Sequence, residues 1–115
     1  MNLRERLLKF AKRCIEISKI LPKSYECESL KRQLINAATS IGANFEEADG
    51  ALSKKDFINK VAISRKEAKE TRYWLAVISG SFVDPKIVAD DIDEAGQIVK
   101  ILSAILIKMG ATVKR

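Results

Sequence analysis

Apolar residues recur along this chain at three- and four-residue steps in four separate runs, each bounded by residues that start or stop helices. Leu3, Leu7, Phe10, Ala11, Cys14, Ile17, Ser18 and Leu21 form the first stripe. Pro22 ends it, because proline disfavours helical backbone in the residue before it and has no amide to donate. Ser24 suits an N-cap, with Glu26 and Glu28 well placed in the following turn, and Leu30, Leu34, Ala37, Ile41, Phe45 and Ala48 make the second stripe. That run stops at the turn dipeptide Asp49-Gly50. Ser53 with Asp56 reads as a capping-box variant that opens a third stripe of Phe57, Val61, Ser64, Ala68, Thr71, Leu75 and Ile78, closed by Gly80-Ser81. Asp84-Pro85 supplies a cap followed by proline at the first helical position, and Val88, Ile92, Ala95, Val99, Leu102, Leu106 and Met109 complete the fourth stripe before Gly110.

These signals predict helices over about 2–21, 25–49, 54–79 and 85–109 within one domain spanning 1–115. Short turns between amphipathic helices predict an all-α fold, an antiparallel up-and-down four-helix bundle. No run alternates with the period of a strand, and the helices do not repeat one another in sequence, which argues against a solenoid. The fourth helix carries a second apolar line, with Ile98, Ile101, Ile105 and Ile107 lying off the Val99, Leu102 and Leu106 face. A helix apolar nearly all round is buried nearly all round, so Ile98, Ile101 and Ile105 are expected at an interface between subunits. A wide core stripe with a few exposed isoleucines is the alternative.

Composition narrows the chemistry. The chain has 115 residues, enough for one core, and no apolar run approaches the ~20 residues of a membrane span. Its first residues alternate charged with apolar side chains, so a cytoplasmic location and no membrane partner are expected. Cys14 and Cys27 lack CxxC spacing and read as small buried thiols. There is no histidine, which removes the commonest general base and the commonest nitrogen ligand for metals. A non-enzyme with no cofactor and no metal is therefore expected.

The formal charge is +6, and it is unevenly spread. Residues 1–23 carry seven Lys or Arg against two Glu, and residues 54–72 carry seven against three acids, whereas Asp90, Asp91, Asp93 and Glu94 cluster with the opposite sign. Two polar strips cross the predicted helices. Ser40, Asn44 and Glu47 fall at i, i+4 and i+7 among the small residues Ala37, Ala38, Gly42 and Ala43, where a mid-helix glycine suggests close approach of another backbone. Ile63, Glu67, Glu70 and Trp74 make a second strip, flanked by Lys66, Glu70 and Tyr73.

Arg32 to Leu75 resembles the signature block of the four-helix-bundle proteins encoded in intervening sequences of bacterial large-subunit ribosomal RNA genes, also called the S23 ribosomal protein family. The resemblance lies in ATSIGAN (Ala38 to Asn44), Glu47, SKKDFI (Ser53 to Ile58) and KEAKETRYWL (Lys66 to Leu75). Ala48 departs from it, since many members have glycine after the glutamate. The resemblance implies a bundle that assembles as a homo-oligomer, expected to be a pentameric ring, similar to the accessory protein of diversity-generating retroelements. By the same resemblance Ser40, Asn44, Glu47, Asp56, Lys66, Glu67, Glu70 and Trp74 match motif positions, expected to join the second and third helices and shape the subunit interface.

Three functions compete at this level. The first is a non-catalytic nucleic-acid-binding protein, RNA favoured, with Arg4, Arg6, Lys9, Lys12, Arg13, Lys54, Lys55, Lys60, Arg65, Lys69 and Arg72 as candidate phosphate contacts. The second is a scaffold for a protein partner such as a reverse transcriptase, with Asp90, Asp91, Asp93 and Glu94 offered to a basic surface. The third is a metal enzyme using Glu47, Glu67 and Glu70, disfavoured because di-iron bundles use Glu-x-x-His.

Overall fold

The structure is a computed structural model and describes residues 1–113. Four helices, α1 (Leu3–Ile20), α2 (Tyr25–Asp49), α3 (Lys54–Ile78) and α4 (Pro85–Lys108), pack in a closed ring in which each touches its two neighbours in sequence order and α1 returns to α4. The result is the expected four-helix bundle, 44 Å long. Among the described residues the one departure from helix and turn is an isolated bridge between Ser79 and Val83.

The ends form where capping chemistry puts them. Ser24 and Ser53 accept hydrogen bonds from the amides of Cys27 and Asp56, and Asp84 accepts from the amide of Lys86 ahead of a helix that begins with Pro85. Each satisfies an amide that has no partner inside its own helix. Asn2 does the same for α1, accepting from the amide of Glu5. At the far end of α4, Gly110 has φ +86°, its amide donates to Ile107 and the amide of Ala111 donates to Leu106. This is a Schellman closure, and it needs the left-handed backbone that glycine adopts without strain.

The core stripes of α1, α2 and α3 run as the periodicity predicts, with Leu3, Leu30, Phe45 and Phe57 only partly buried at the margins. α4 is different. Its buried side is Val88, Asp91, Ala95, Ile98, Leu102 and Leu106, so Asp91 and Ile98 stand where Ile92 and Val99 were expected. Ile98 is fully buried within this one chain and is not at an interface; Ile105 packs partly against the same core, and only Ile107 of the second line is largely exposed. Because apolar residues occupy almost every side of α4, periodicity alone does not select its inner face.

Gly42 meets no crowding backbone. A β-carbon there would lie 3.6 Å from Cβ of Leu7 on α1, an ordinary contact distance. Since glycine inside a helix costs ~0.5–1 kcal/mol relative to alanine, Gly42→Ala is expected to stabilise the isolated chain by about that amount, read as a higher urea midpoint at unchanged m-value.

Candidate nucleic-acid interface

The basic residues divide into two groups once the helices are packed. Arg6 of α1 makes a two-pronged contact with Glu94 of α4, Nε and Nη2 donating at 2.8 and 2.6 Å, and reaches Gln97 at 3.0 Å. Arg13 donates to both carboxylate oxygens of Asp91 at 3.1–3.3 Å and to the carbonyl of Ile87 at 3.0 Å. Arg4 pairs with Glu46 across α1 and α2 and lies 3.8 Å from Asp49. Lys60 pairs with Glu47 across α2 and α3 at 2.9 Å. Hydrogen bonding to the carboxylates pushes the pKa values of these three arginines and Lys60 upward, and Arg4 in turn holds Glu46 below the usual carboxylate range. Five of the candidate phosphate contacts thus have partners, Arg65 being the fifth, its Nε donating to Ser103 Oγ at 2.6 Å. Asp91 and Glu94 are likewise paired from within the chain, which leaves Asp90 and Asp93 as the exposed carboxylates of that cluster.

The second group gathers in a groove of about 1030 Å³ between α3 and α4. Among the described residues that line it, Arg65, Lys69 and Arg72 come from α3 and Lys100 from α4, against the single carboxylate of Asp93. Among the described residues Lys69, Arg72 and Lys100 make no ion pair. Sequence reasoning missed Lys100, because its position opposite the α3 cations depends on how the two helices register. The one available signal was Gly96, a mid-helix glycine one turn before Lys100: the Arg72 guanidinium lies across it, with Nε 3.7 Å from the position a β-carbon would take. Lys9, Lys12, Lys54 and Lys55 are exposed and lie outside this groove.

The motif residues separate in the same way. Ser40 donates to the carbonyl of Asn36 and Asn44 to that of Ser40, so both bond within α2 and neither supplies the hydrogen bond between helices. That bond comes from buried Ser64, whose Oγ donates to the carbonyl of Ile41 at 2.7 Å. Glu47 does join α2 to α3, through Lys60. Asp56 sits at the α3 cap, its amide donating to Ser53, while Lys66 and Glu70 are exposed. Trp74 is partly buried against the core, with the Tyr73 ring edge-on to it at 5.1 Å.

Partial burial, then the nearby charge of Glu70, raises the pKa of Glu67. A raised carboxylate favours the fold while protonated, and that contribution is lost as pH rises through its folded pKa. Burial also pushes the Cys14 thiol up to about 12, with Asp91 adding to the shift, which leaves the thiol protonated and unreactive near neutrality. No buried side-chain nitrogen or oxygen among the described residues lacks a hydrogen-bond partner. Nor do any three of their acidic, histidine or cysteine side chains come together in a way that could hold a metal ion, so Glu47, Glu67 and Glu70 do not form the carboxylate centre considered above.

A family model described as 23S rRNA-intervening sequence protein matches residues 1–104. The chain belongs to the 23S rRNA-intervening sequence protein family. A crystal structure of a Bacteroides thetaiotaomicron protein, described as of unknown function and from the S23 ribosomal protein family, is similar at 33% identity and a TM-score of 0.84, over 91% of this chain and 98% of that one. A search of curated proteins found no match. Among the described residues of this family member, no helix is long and apolar enough to cross a membrane.

The pairing of α1 with α4 carries a stability prediction. Removing the cation of a pair whose carboxylate is buried strands that carboxylate, so Arg13→Ala is expected to cost about 2–3 kcal/mol through unpaired Asp91. The double change of Arg13→Met with Asp91→Leu is expected to recover most of that loss in urea unfolding, because an apolar pair has no charge to desolvate.

Proposed function

We propose that this protein is a non-catalytic RNA-binding protein that takes the phosphate backbone in the cationic groove between α3 and α4. The observation that carries the reading is the gathering of Arg65, Lys69, Arg72 and Lys100 around one carboxylate, with three of the four making no ion pair among the described residues. Cations held without counter-charges in a concave surface bind polyanions by displacing condensed counterions, and the affinity then falls steeply with salt. The absence of histidine and the use of Glu47 as a salt-bridge partner support the non-catalytic part of the reading. On this reading the groove contacts RNA directly, while Arg6 and Arg13 serve the fold.

The protein also works as a homo-oligomer. In place of Ile98, the support is the opposite groove between α1 and α2, where Leu8 is 57% exposed beside Ile15, Gly42 and Ala43. Light scattering is expected to return a multiple of the 12.8 kDa chain, five by the family resemblance, and Leu8→Glu is expected to shift it to a smaller species.

Triple replacement of Lys69, Arg72 and Lys100 by Gln is expected to weaken RNA binding and to flatten the slope of log K against log salt by about 2 to 3, roughly 0.7–0.9 for each phosphate that is no longer neutralised. Arg6→Gln, by contrast, is expected to lower stability and leave that slope in place. Unchanged affinity and slope in the triple variant would remove the reading.

A further inference from the structure

We infer that the α3/α4 groove takes a single RNA strand, with an unpaired base stacked on Tyr73 and the flanking phosphates on Lys69, Arg72 and Lys100. The inference rests on the RNA-binding reading above. Its starting point is width: neighbouring helices of a bundle stand about 8–10 Å apart, so the trough between them admits one strand, and an A-form duplex would have to ride over its rims. A duplex offers mainly shape, phosphates and 2′-hydroxyls, whereas an unpaired segment also offers base faces to aromatic side chains.

Tyr73 is placed for such a face. It lines the groove yet is 61% exposed, and its ring sits edge-on to the partly buried Trp74 at an interplanar angle of 75°. An aromatic braced in this way loses little freedom when a base stacks on it. The cations surround it in helical register. Lys69 lies one turn before Tyr73 on α3, Arg72 lies across Gly96 on α4, and Lys100 is one turn beyond Gly96. The Arg72 guanidinium lies over Gly96, its Nε 3.7 Å from where a β-carbon would sit, which places this cation at the floor of the groove.

The groove between α1 and α2 does not compete for this role. Its cations Arg4 and Lys12 are matched in number by Glu5 and Glu46, and none of the described residues that line it is aromatic.

The test is fluorescence anisotropy at one fixed ionic strength, with labelled oligouridylate and a paired RNA hairpin of equal length, its two strands joined by a non-nucleotide linker so that no base is unpaired, as probes. The wild-type chain is expected to prefer the single strand. Tyr73→Ala is expected to weaken oligouridylate binding roughly five- to a hundred-fold while leaving hairpin binding unchanged, and Tyr73→Phe, which keeps the ring, is expected to bind as wild type. Undiminished oligouridylate binding by Tyr73→Ala, or a wild-type preference for the hairpin, overturns the inference. The Lys69, Arg72 and Lys100 triple variant separates the two levels: if it weakens both probes while Tyr73→Ala weakens neither, RNA binding stands and the stacked single strand falls. If it too has no effect, both fall.

Discussion

The contact between α1 and α4 closes the ring of helices where two neighbouring backbones approach each other least, and long side chains reach across it. Arg6 and Arg13 span the gap to Glu94 and Asp91. Asp91 is only 8% exposed, on a face that would otherwise be apolar. Desolvating such a carboxylate is costly unless a cation and hydrogen bonds compensate it, and the Arg13 fork supplies both. Once Asp91 faces inward, helical period brings Ala95, Ile98, Leu102 and Leu106 in behind it. The seam therefore determines which side of α4 is core, and so which side is left to meet the groove beside α3.

The same seam sorts the charge. Three of the basic residues of α1 are held by carboxylates of α2 and α4, so the dense positive run at the start of the chain contributes less to a polyanion surface than its count suggests. The run on α3 has fewer acids to meet. Glu47 takes Lys60 and Ser103 takes Arg65, and Lys69 and Arg72 face across to Lys100 over a single Asp93. Net charge speaks to association; its location after packing says where the association occurs.

Local chemistry was legible in the sequence and helix register was not. Ser24, Ser53 and Asp84 announced three helix starts, and three of the four stripes emerged on the side their period indicated, because capping and amphipathicity are properties of a few adjacent residues. α4 resisted because isoleucines on several sides fit more than one inner face, and the deciding residue was an aspartate that reads as solvent-facing until Arg13 is seen opposite it. The polar strip of Ser40 and Asn44 misled in a related way: their bonds stay within α2, and the link to α3 comes from Ser64, which the pattern had counted as plain core. For the candidate site, the α3 cations could be read from the chain, but Lys100 and Gly96 join them only through the pairing of α3 with α4.

The two mid-helix glycines make the division of the surface concrete. Gly42 and Gly96 each sit in a groove, and the ring order of the helices puts those grooves on opposite sides of the bundle. At Gly96 the Arg72 guanidinium rests at ordinary contact distance from where a β-carbon would sit, so an alanine would fit there. At Gly42 an alanine would likewise fit beside Leu7 at normal distance and would favour the helix. A glycine retained against helix propensity, in a charge-balanced groove beside exposed Leu8, fits a surface that another chain approaches closely. The cationic groove lies on the far side, so a copy seated on α1 and α2 does not itself cover Lys69, Arg72 and Lys100; in a ring of head-to-tail contacts the groove stays open to RNA when the neighbour on the other side is met by a face other than α3 and α4.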